Sequence, residues 1–375
     1  MKAEGIDIVD LSVGEPDFPT PKQICDAAGK AIADGRTRYT LNEGIVELRE
    51  AIVRKFEFEC GAHYDPSCVI VSTGAKQSLY NAFQALLSPG DEVIVPAPYW
   101  VSYTHMIYLA GGEPVVVDTT EDEGFRLMSE ALRKSLTPRT RAVIINNPSN
   151  PTGSAYRAED LVPLIEICRE AGVFIISDEI YEKLTYGGFP FTSLAAPGLE
   201  AKSLSLIING FSKSYSMTGW RLGYALGPKE LISGMCKVQS HNTSNPSSIS
   251  QWAGLAALDG AAAEVVRMRD EFETRRNYCL GRLAQIPDLT CIKPDGAFYL
   301  FPNIARYLGT STGKRSFKSS DDLGRYLLDV VHLATVPGEA FGTGGYIRIS
   351  YAASREELRR GMDRFEEALR RLREG

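Results

Sequence analysis

Short apolar runs alternate with stretches of helical periodicity from residue 69 to residue 226. The runs are Val69–Ser72, Glu92–Pro96, Pro114–Asp118, Ala142–Asn146, Phe174–Ser177, Ser203–Asn209 and Arg221–Leu226. A strand buried on both faces reads as continuous apolar sequence, so this alternation predicts a mostly parallel sheet covered by helices on both sides. After about Ile286 the pattern shifts to a smaller α+β lobe, with strands near Ala297–Phe301 and Tyr346–Tyr351. Ser354 and Glu357 have the spacing of a capping box. Leu358, Met362, Phe365, Leu369 and Leu372 then step by four and three along one face of a last helix, which predicts core packing. The polar stretch Gly309–Asp321 reads as a surface loop. Inside it, Gly309-Thr310-Ser311-Thr312-Gly313-Lys314-Arg315 imitates a nucleotide loop, but it is one residue short and lacks the following Ser or Thr.

Three of these strand ends, and one strand of the later lobe, carry residues with chemical potential. The run Leu204–Ile208 leads into Asn209-Gly210-Phe211-Ser212-Lys213-Ser214-Tyr215-Ser216-Met217-Thr218-Gly219-Trp220-Arg221. A lysine fixed at a strand end can form a Schiff base with an aldehyde, and Ser212 and Arg221 beside it suit a phosphate. A solvated loop lysine is the plain alternative. Asn146-Asn147-Pro148-Ser149-Asn150-Pro151-Thr152-Gly153 makes a rigid turn after another strand, where α/β proteins gather ligand groups. Phe174-Ile175-Ile176-Ser177-Asp178-Glu179-Ile180-Tyr181 ends on an acid that can face a cationic ring nitrogen or cap a helix. Finally, Arg348 sits in the strand-like Tyr346-Ile347-Arg348-Ile349-Ser350, where its fork suits a carboxylate.

Composition narrows the possibilities. A chain of 375 residues can bury a large core and exceeds the usual size of one domain, so two lobes are expected. A net charge of −6 offers no basic excess for nucleic acid. Seven cysteines without C-x-x-C spacing and only four histidines argue against a disulfide framework or a zinc site, and point to reduced cytoplasmic thiols. No apolar stretch has membrane-spanning length, and Met1-Lys2-Ala3-Glu4-Gly5 lacks the core of a signal peptide.

Taken in order, the four segments resemble the class I aminotransferases of fold type I, which depend on pyridoxal 5'-phosphate. The resemblance runs from about Gly14 to the C-terminus. Ser12-Val13-Gly14-Glu15-Pro16-Asp17-Phe18, Gly74-Ala75-Lys76-Gln77 and Pro98-Tyr99-Trp100-Val101-Ser102-Tyr103 resemble the bacterial and plant-type aspartate and prephenate subgroup. The family implies a large cofactor-binding domain over residues 26–286 with a seven-stranded, mostly parallel sheet, and a small domain from residues 1–25 and 287–375. It implies Lys213 as the Schiff-base lysine, Asp178 at the pyridine nitrogen, and Asn150 and Tyr181 at the phenolic oxygen. Gly74, Ala75, Lys76, Ser212 and Arg221 are implied at the phosphate, and Trp100 against the ring. Tyr39 resembles a tyrosine that reaches the neighbouring subunit's phosphate, so a homodimer is implied. Substrate contacts are implied at Gly14, Lys76, Trp100, Asn150 and Arg348.

The implied chemistry is a ping-pong exchange between amino-acid and 2-oxo-acid substrates. In it the freed Lys213 amine acts as general base at Cα and Arg348 grips the α-carboxylate. Lys76, a cation at a helix start, can meet a second carboxylate or only the phosphate; Thr20 matches prephenate-using members. Aspartate with 2-oxoglutarate is the expected pair, with glutamate and prephenate as the alternative. Alanine or aromatic aminotransferases, carbon–sulfur lyases and cyclopropane-carboxylate synthases would keep Lys213, Asp178, Asn150 and Arg348, because fold does not fix function. A non-catalytic cofactor-binding regulator is the reading from another class, and it lacks an added basic helix here. Relatives of this type carry a further N-terminal segment before the residues matching Lys2–Asp10, which covers part of the site. Its lack reads as altered closure or as an internal methionine at Met1.

Overall fold

The computed structural model describes residues 5–312 and 315–374. The opening residues Met1 to Glu4, and Gly313 and Lys314 of the nucleotide-loop imitation, lie outside the described residues. All seven expected strands form, as β1 (Val69–Ser72), β2 (Glu92–Ala97), β3 (Glu113–Asp118), β4 (Thr140–Asn146), β5 (Phe174–Asp178), β6 (Ser205–Gly210) and β7 (Gly223–Leu226). They build one sheet in the order β1-β7-β6-β5-β4-β2-β3. Only β7 runs against its neighbours, β1 and β6; the remaining pairs are parallel.

The period-2 geometry of these apolar runs explains why both sheet faces are dry. Val69, Val71, Ile94, Val143, Ile145, Ile175 and Ile207 point into one core, and their sequence neighbours Ile70, Val93, Val95, Ile144, Ile176, Leu206 and Ile208 into another. Parallel strands then end together at one edge of the sheet. That edge receives the turns after β1, β2, β4, β5 and β6. Because β7 is antiparallel, its beginning rather than its end lies there, and Arg221 joins the same edge.

A third core belongs to the smaller lobe, around β8 (Tyr299–Leu300), β9 (Val336–Pro337) and β10 (Ile347–Ser350), which pair antiparallel in the order β9-β10-β8. Val9–Asp10 pairs in parallel with Leu333–Ala334, which ties the N-terminal segment to this lobe. The helix Ala262–Leu283 passes between cores: Val265 packs in the first, while Met268, Phe272, Cys279 and Leu283 pack in the third. The last helix, Arg355–Glu374, buries Leu358, Met362, Phe365, Leu369 and Leu372 as its periodicity predicts. Glu357 N donates to Ser354 Oγ at 3.2 Å at its start.

Two boundaries differ from expectation. Arg221 is not in a strand; its φ of 51° puts it in the left-handed region, and β7 begins at Gly223. The stretch expected to stay a loop through Asp321 already contains a helix start. Ser319 accepts from Asp322 N at 3.2 Å and Asp322 accepts from Ser319 N at 3.1 Å, so a capping box with Asp in place of Glu opens the helix Ser320–Val331.

Candidate active site

A cavity of about 470 Å³ opens at the sheet edge where the strand-end turns meet the small lobe. Gly14, Ala75, Lys76, Trp100, Asn150, Asp178, Tyr181, Ser212, Lys213, Arg221 and Arg348 all line it. Residues separated by more than 330 positions thus meet in one place. Tyr39 does not line the cavity; it stands 92% exposed at the surface. Thr20 is also outside it, with its hydroxyl donating to Ser216 O at 2.6 Å and accepting from Trp220 Nε1 at 2.9 Å. That side chain ties two loops together.

Lys213 follows β6 in a turn whose Phe211 and Met217 are fully buried anchors. Met217 N donates to Ser212 O at 3.2 Å and closes the turn. Burial drives the Lys213 amine down to about 8, opposed by Glu15 and assisted by Arg221 and Arg348. Its Nζ donates to Gly14 O at 2.6 Å. A lysine in this state has a neutral fraction near physiological pH far above that of a free lysine, which a nucleophile or general base requires.

Asp178 ends β5 and is 4% exposed. It caps no helix: Ile180 N donates to Oδ1 at 3.3 Å within a turn, and Tyr103 donates to Oδ2 at 2.6 Å. Desolvation pushes the carboxyl up to about 6, against the Tyr103 and Ile180 hydrogen bonds and the Lys213 charge. No cation is within ion-pair distance of it among the described residues. A buried carboxylate in that state favours a cationic ligand atom.

The anion-binding corner lies at the start of the helix Ala75–Leu86, where first-turn amides have no intrahelical acceptor and the helix end is positive. Gly74 is its N-cap at φ 86°, and a Cβ there would stand 2.6 Å from Arg221 Nη2. Glycine therefore lets the guanidinium close over the helix start. Gly223 in β7 lets that strand pack against the same helix start, since a Cβ there would collide with the backbone of Gly74 and Ala75. Lys76 extends from the first turn, with Nζ 4.8 Å from the centroid of the Trp100 ring. Trp100 in turn packs edge-on against Tyr103 at 5.4 Å.

Arg348, from β10, is 7% exposed and enters from the small lobe. Nη1 donates to Asn150 Oδ1 at 2.9 Å, Nη2 donates to Ser12 O at 2.6 Å, and buried Nε has no hydrogen-bond partner. Asn150 itself is set by Asn146, whose Oδ1 accepts from Asn150 N at 2.8 Å and whose Nδ2 donates to Asp178 O at 3.0 Å.

Among the lining groups that sequence reasoning missed are Asn146, Tyr103 and Tyr299. Asn146 and Tyr103 lie inside motifs already singled out, one turn from named residues. Tyr299 had no signal beyond a strand pattern, because its place depends on contacts with Tyr181 and Gly14, 118 and 285 positions away in sequence.

An open α/β sheet with a buried lysine, a buried acid and an arginine-capped helix start at its carboxyl edge defines a ligand-binding enzyme of the doubly wound class. The family model for aminotransferase class I and II matches residues 6–365, and the chain belongs to that family. An aspartate aminotransferase of Geobacillus stearothermophilus is 50% identical, over 97% of this chain and 92% of that protein. An aspartate/prephenate aminotransferase of Cereibacter sphaeroides is 47% identical, over 98% and 92%. The crystal structure of the aspartate aminotransferase from Rhizobium meliloti superposes with a TM-score of 0.96 at 45% identity, covering 99% of this chain and 94% of that one. The described residues contain no helix long and apolar enough to cross a membrane.

Proposed function

We propose that this aminotransferase uses pyridoxal 5'-phosphate and exchanges amino groups between aspartate or glutamate and 2-oxo acids such as 2-oxoglutarate. The observation that carries this reading is the charge layout of the cavity: Lys76, Lys213, Arg221 and Arg348 line it together with a buried Asp178. Such a site suits a phosphate, a pyridinium and two carboxylates together. The residues present fit the cofactor. Gly74 leaves room for Arg221 over the helix start, and the buried Asp178 awaits a cation.

In this reading Gly74, Ala75, Ser212 and Arg221 hold the phosphate, Trp100 backs the ring, and Asn150 and Tyr181 donate to its phenolic oxygen. When bound, the cofactor supplies an aldehyde that joins the substrate amine and a ring that accepts electrons from Cα. Asp178 keeps the proton on the ring nitrogen. Lys213, a buried amine lowered to about 8, would take the proton from Cα once displaced from the aldehyde and would return it to the cofactor's aldehyde carbon. Arg348 grips the α-carboxylate and fixes the Cα–H bond in the reactive direction. Gly14, whose carbonyl holds Lys213 Nζ, closes the substrate side. Lys76 meets the distal carboxylate that aspartate, glutamate and prephenate share.

We further infer a homodimer in which Tyr39 serves the partner's phosphate. Its exposure fits that role, and the adjoining segment is held rigidly: Gln251 Oε1 accepts from Ile45 N at 2.7 Å, and Gln239 Nε2 donates to Asn42 O at 2.6 Å. The lobes then divide as 26–286 against 1–25 with 287–375. Seven unpaired thiols suit a reducing cytoplasm.

The test is a panel of amino donors against 2-oxoglutarate, oxaloacetate and prephenate, with pyridoxal 5'-phosphate supplied. Aspartate or glutamate should give the highest kcat/KM. A preference for alanine or aromatic donors would reassign the substrate class, and no transfer with any donor would overturn the reading. Prephenate enters the panel because the Cereibacter sphaeroides relative is named for it.

A further inference from the structure

Tyr299 is 1% exposed and belongs to the small lobe, yet its hydroxyl meets Tyr181 OH of the large lobe at 2.9 Å. In the β8–β10 register Tyr299 stands opposite Ser350, so it shares a face with Arg348, whose guanidinium lies 4.5 Å from the centroid of its ring. The same hydroxyl lies 2.7 Å from where a Cβ on Gly14 would be, and Gly14 O is the acceptor of Lys213 Nζ. One phenol therefore touches the three elements that carry Arg348, Tyr181 and Gly14.

Two facing phenols have two protons and one contact. If Tyr299 donates to Tyr181, the Tyr181 proton is free to point into the cavity; if Tyr181 donates to Tyr299, it is consumed. We propose that Tyr299 is a positioning residue that donates to Tyr181 and so frees and strengthens the Tyr181 proton for an acceptor in the cavity. Donation into an oxygen polarises its O–H bond and makes that hydroxyl a better donor. The proposal rests on the reading that Tyr181 donates to the phenolic oxygen of pyridoxal 5'-phosphate. That donation stabilises the anionic oxygen and so lowers the pH at which the neighbouring imine loses its proton. Without the Tyr299 hydroxyl the midpoint rises.

The experiment follows the absorbance of bound pyridoxal 5'-phosphate against pH in wild type, Tyr299→Phe, Tyr181→Phe and the double variant. Tyr299→Phe keeps the ring under Arg348 and the core packing. We expect its midpoint to move up by about half a pH unit or more, while the affinity of the protein for maleate, read by calorimetry, stays within about twofold because Arg348 keeps its backing ring. The double variant should match Tyr181→Phe alone, since Tyr299 acts only through Tyr181. Equal midpoints in wild type and Tyr299→Phe, or additive shifts in the double variant, would overturn the proposal while leaving the cofactor reading intact. A wild type with no pH-dependent band at all would overturn both.

Discussion

The Tyr103 hydroxyl donates to Oδ2 of the buried Asp178 at 2.6 Å. Tyr103 is itself 1% exposed and its phenol is raised well above the usual tyrosine range, first by desolvation and then by the Asp178 charge, so it stays a donor at any physiological pH. Removing it by Tyr103→Phe takes away a hydrogen bond to a charged group, worth about 1.5–3 kcal/mol. The ionised form of Asp178 becomes harder to hold. Spectroscopic titration with pyridoxal 5'-phosphate at pH 8 should show affinity weakened by about tenfold or more; unchanged affinity would show that Ile180 N alone suffices.

Lys213 should be the residue that borohydride links to pyridoxal 5'-phosphate, located by peptide mass. Its amine is lowered to about 8 by burial, so the rate at which cofactor-free protein captures pyridoxal 5'-phosphate, quenched with borohydride, should climb as pH rises through 8 and then level off. Lys213→Ala should lose the label and lower transamination by about two to four orders of magnitude, the usual worth of a positioned acid–base group. Label on any other lysine would move the assignment.

Asp178 makes a prediction for the cofactor-free protein, with a definite sign. Its folded pKa of about 6 is above the ordinary aspartate value of 3.8, so the folded form binds the proton more tightly and the group's contribution to stability is lost as pH rises from about 4 to 6. Glu179, raised to about 7 by burial against its bonds to Ser193, Leu194 and Ser177, acts in the same direction. Comparing Asp178→Asn with wild type cancels Glu179 and every other group. Between pH 5 and 7.5 the variant should gain about 1 kcal/mol relative to wild type in denaturant unfolding, and the order should reverse once cofactor is bound. A pH-independent difference would mean that Asp178 ionises freely in the fold.

Lys76 is the specificity prediction. Lys76→Ala should lower kcat/KM for aspartate and glutamate by about 10- to 100-fold, the worth of a charged hydrogen bond, and leave alanine and phenylalanine nearly unchanged. An equal loss for all donors would assign Lys76 to the phosphate.

Tyr39 predicts complementation between subunits. Tyr39→Phe and Lys213→Ala homodimers should each be impaired, whereas refolding them together yields hybrids with one intact site. Equimolar mixing should then restore about a quarter of wild-type activity over the mutant background. A fully active monomer in sedimentation would remove the basis for this.

How much of this was legible from the chain follows from the range of each interaction. β1 begins and ends where its apolar run does, and the run that forms β4 carries Val143, Ile144 and Ile145 into opposite cores as a period of two requires. Lys213, Asp178, Asn150 and Arg348 were readable because each stands next to a strand-end pattern made by its own neighbours. Arg221 was read as strand because its apolar sequel is one; the left-handed φ comes from closing the turn back to Gly74, which local sequence does not encode. Thr20 was matched to prephenate-using members on motif alone, and its bonding partners Ser216 and Trp220 lie 196 and 200 positions away in sequence.

By itself the sequence determined the strands, the helix starts, the buried faces and the identity of most cavity groups, because burial and turn chemistry act over a few residues. Only the tertiary structure decided what faces what. Strand order β1-β7-β6-β5-β4-β2-β3 brings the strand-end turns together at one edge and puts Tyr103 against Asp178, 75 positions apart. The docking of β8 and β10 onto that edge brings Tyr299 to Tyr181, 118 positions apart, and Arg348 to Asn150, 198 apart. Such contacts arise when whole cores pack, and their distances and protonation states are set by desolvation that no single segment experiences alone.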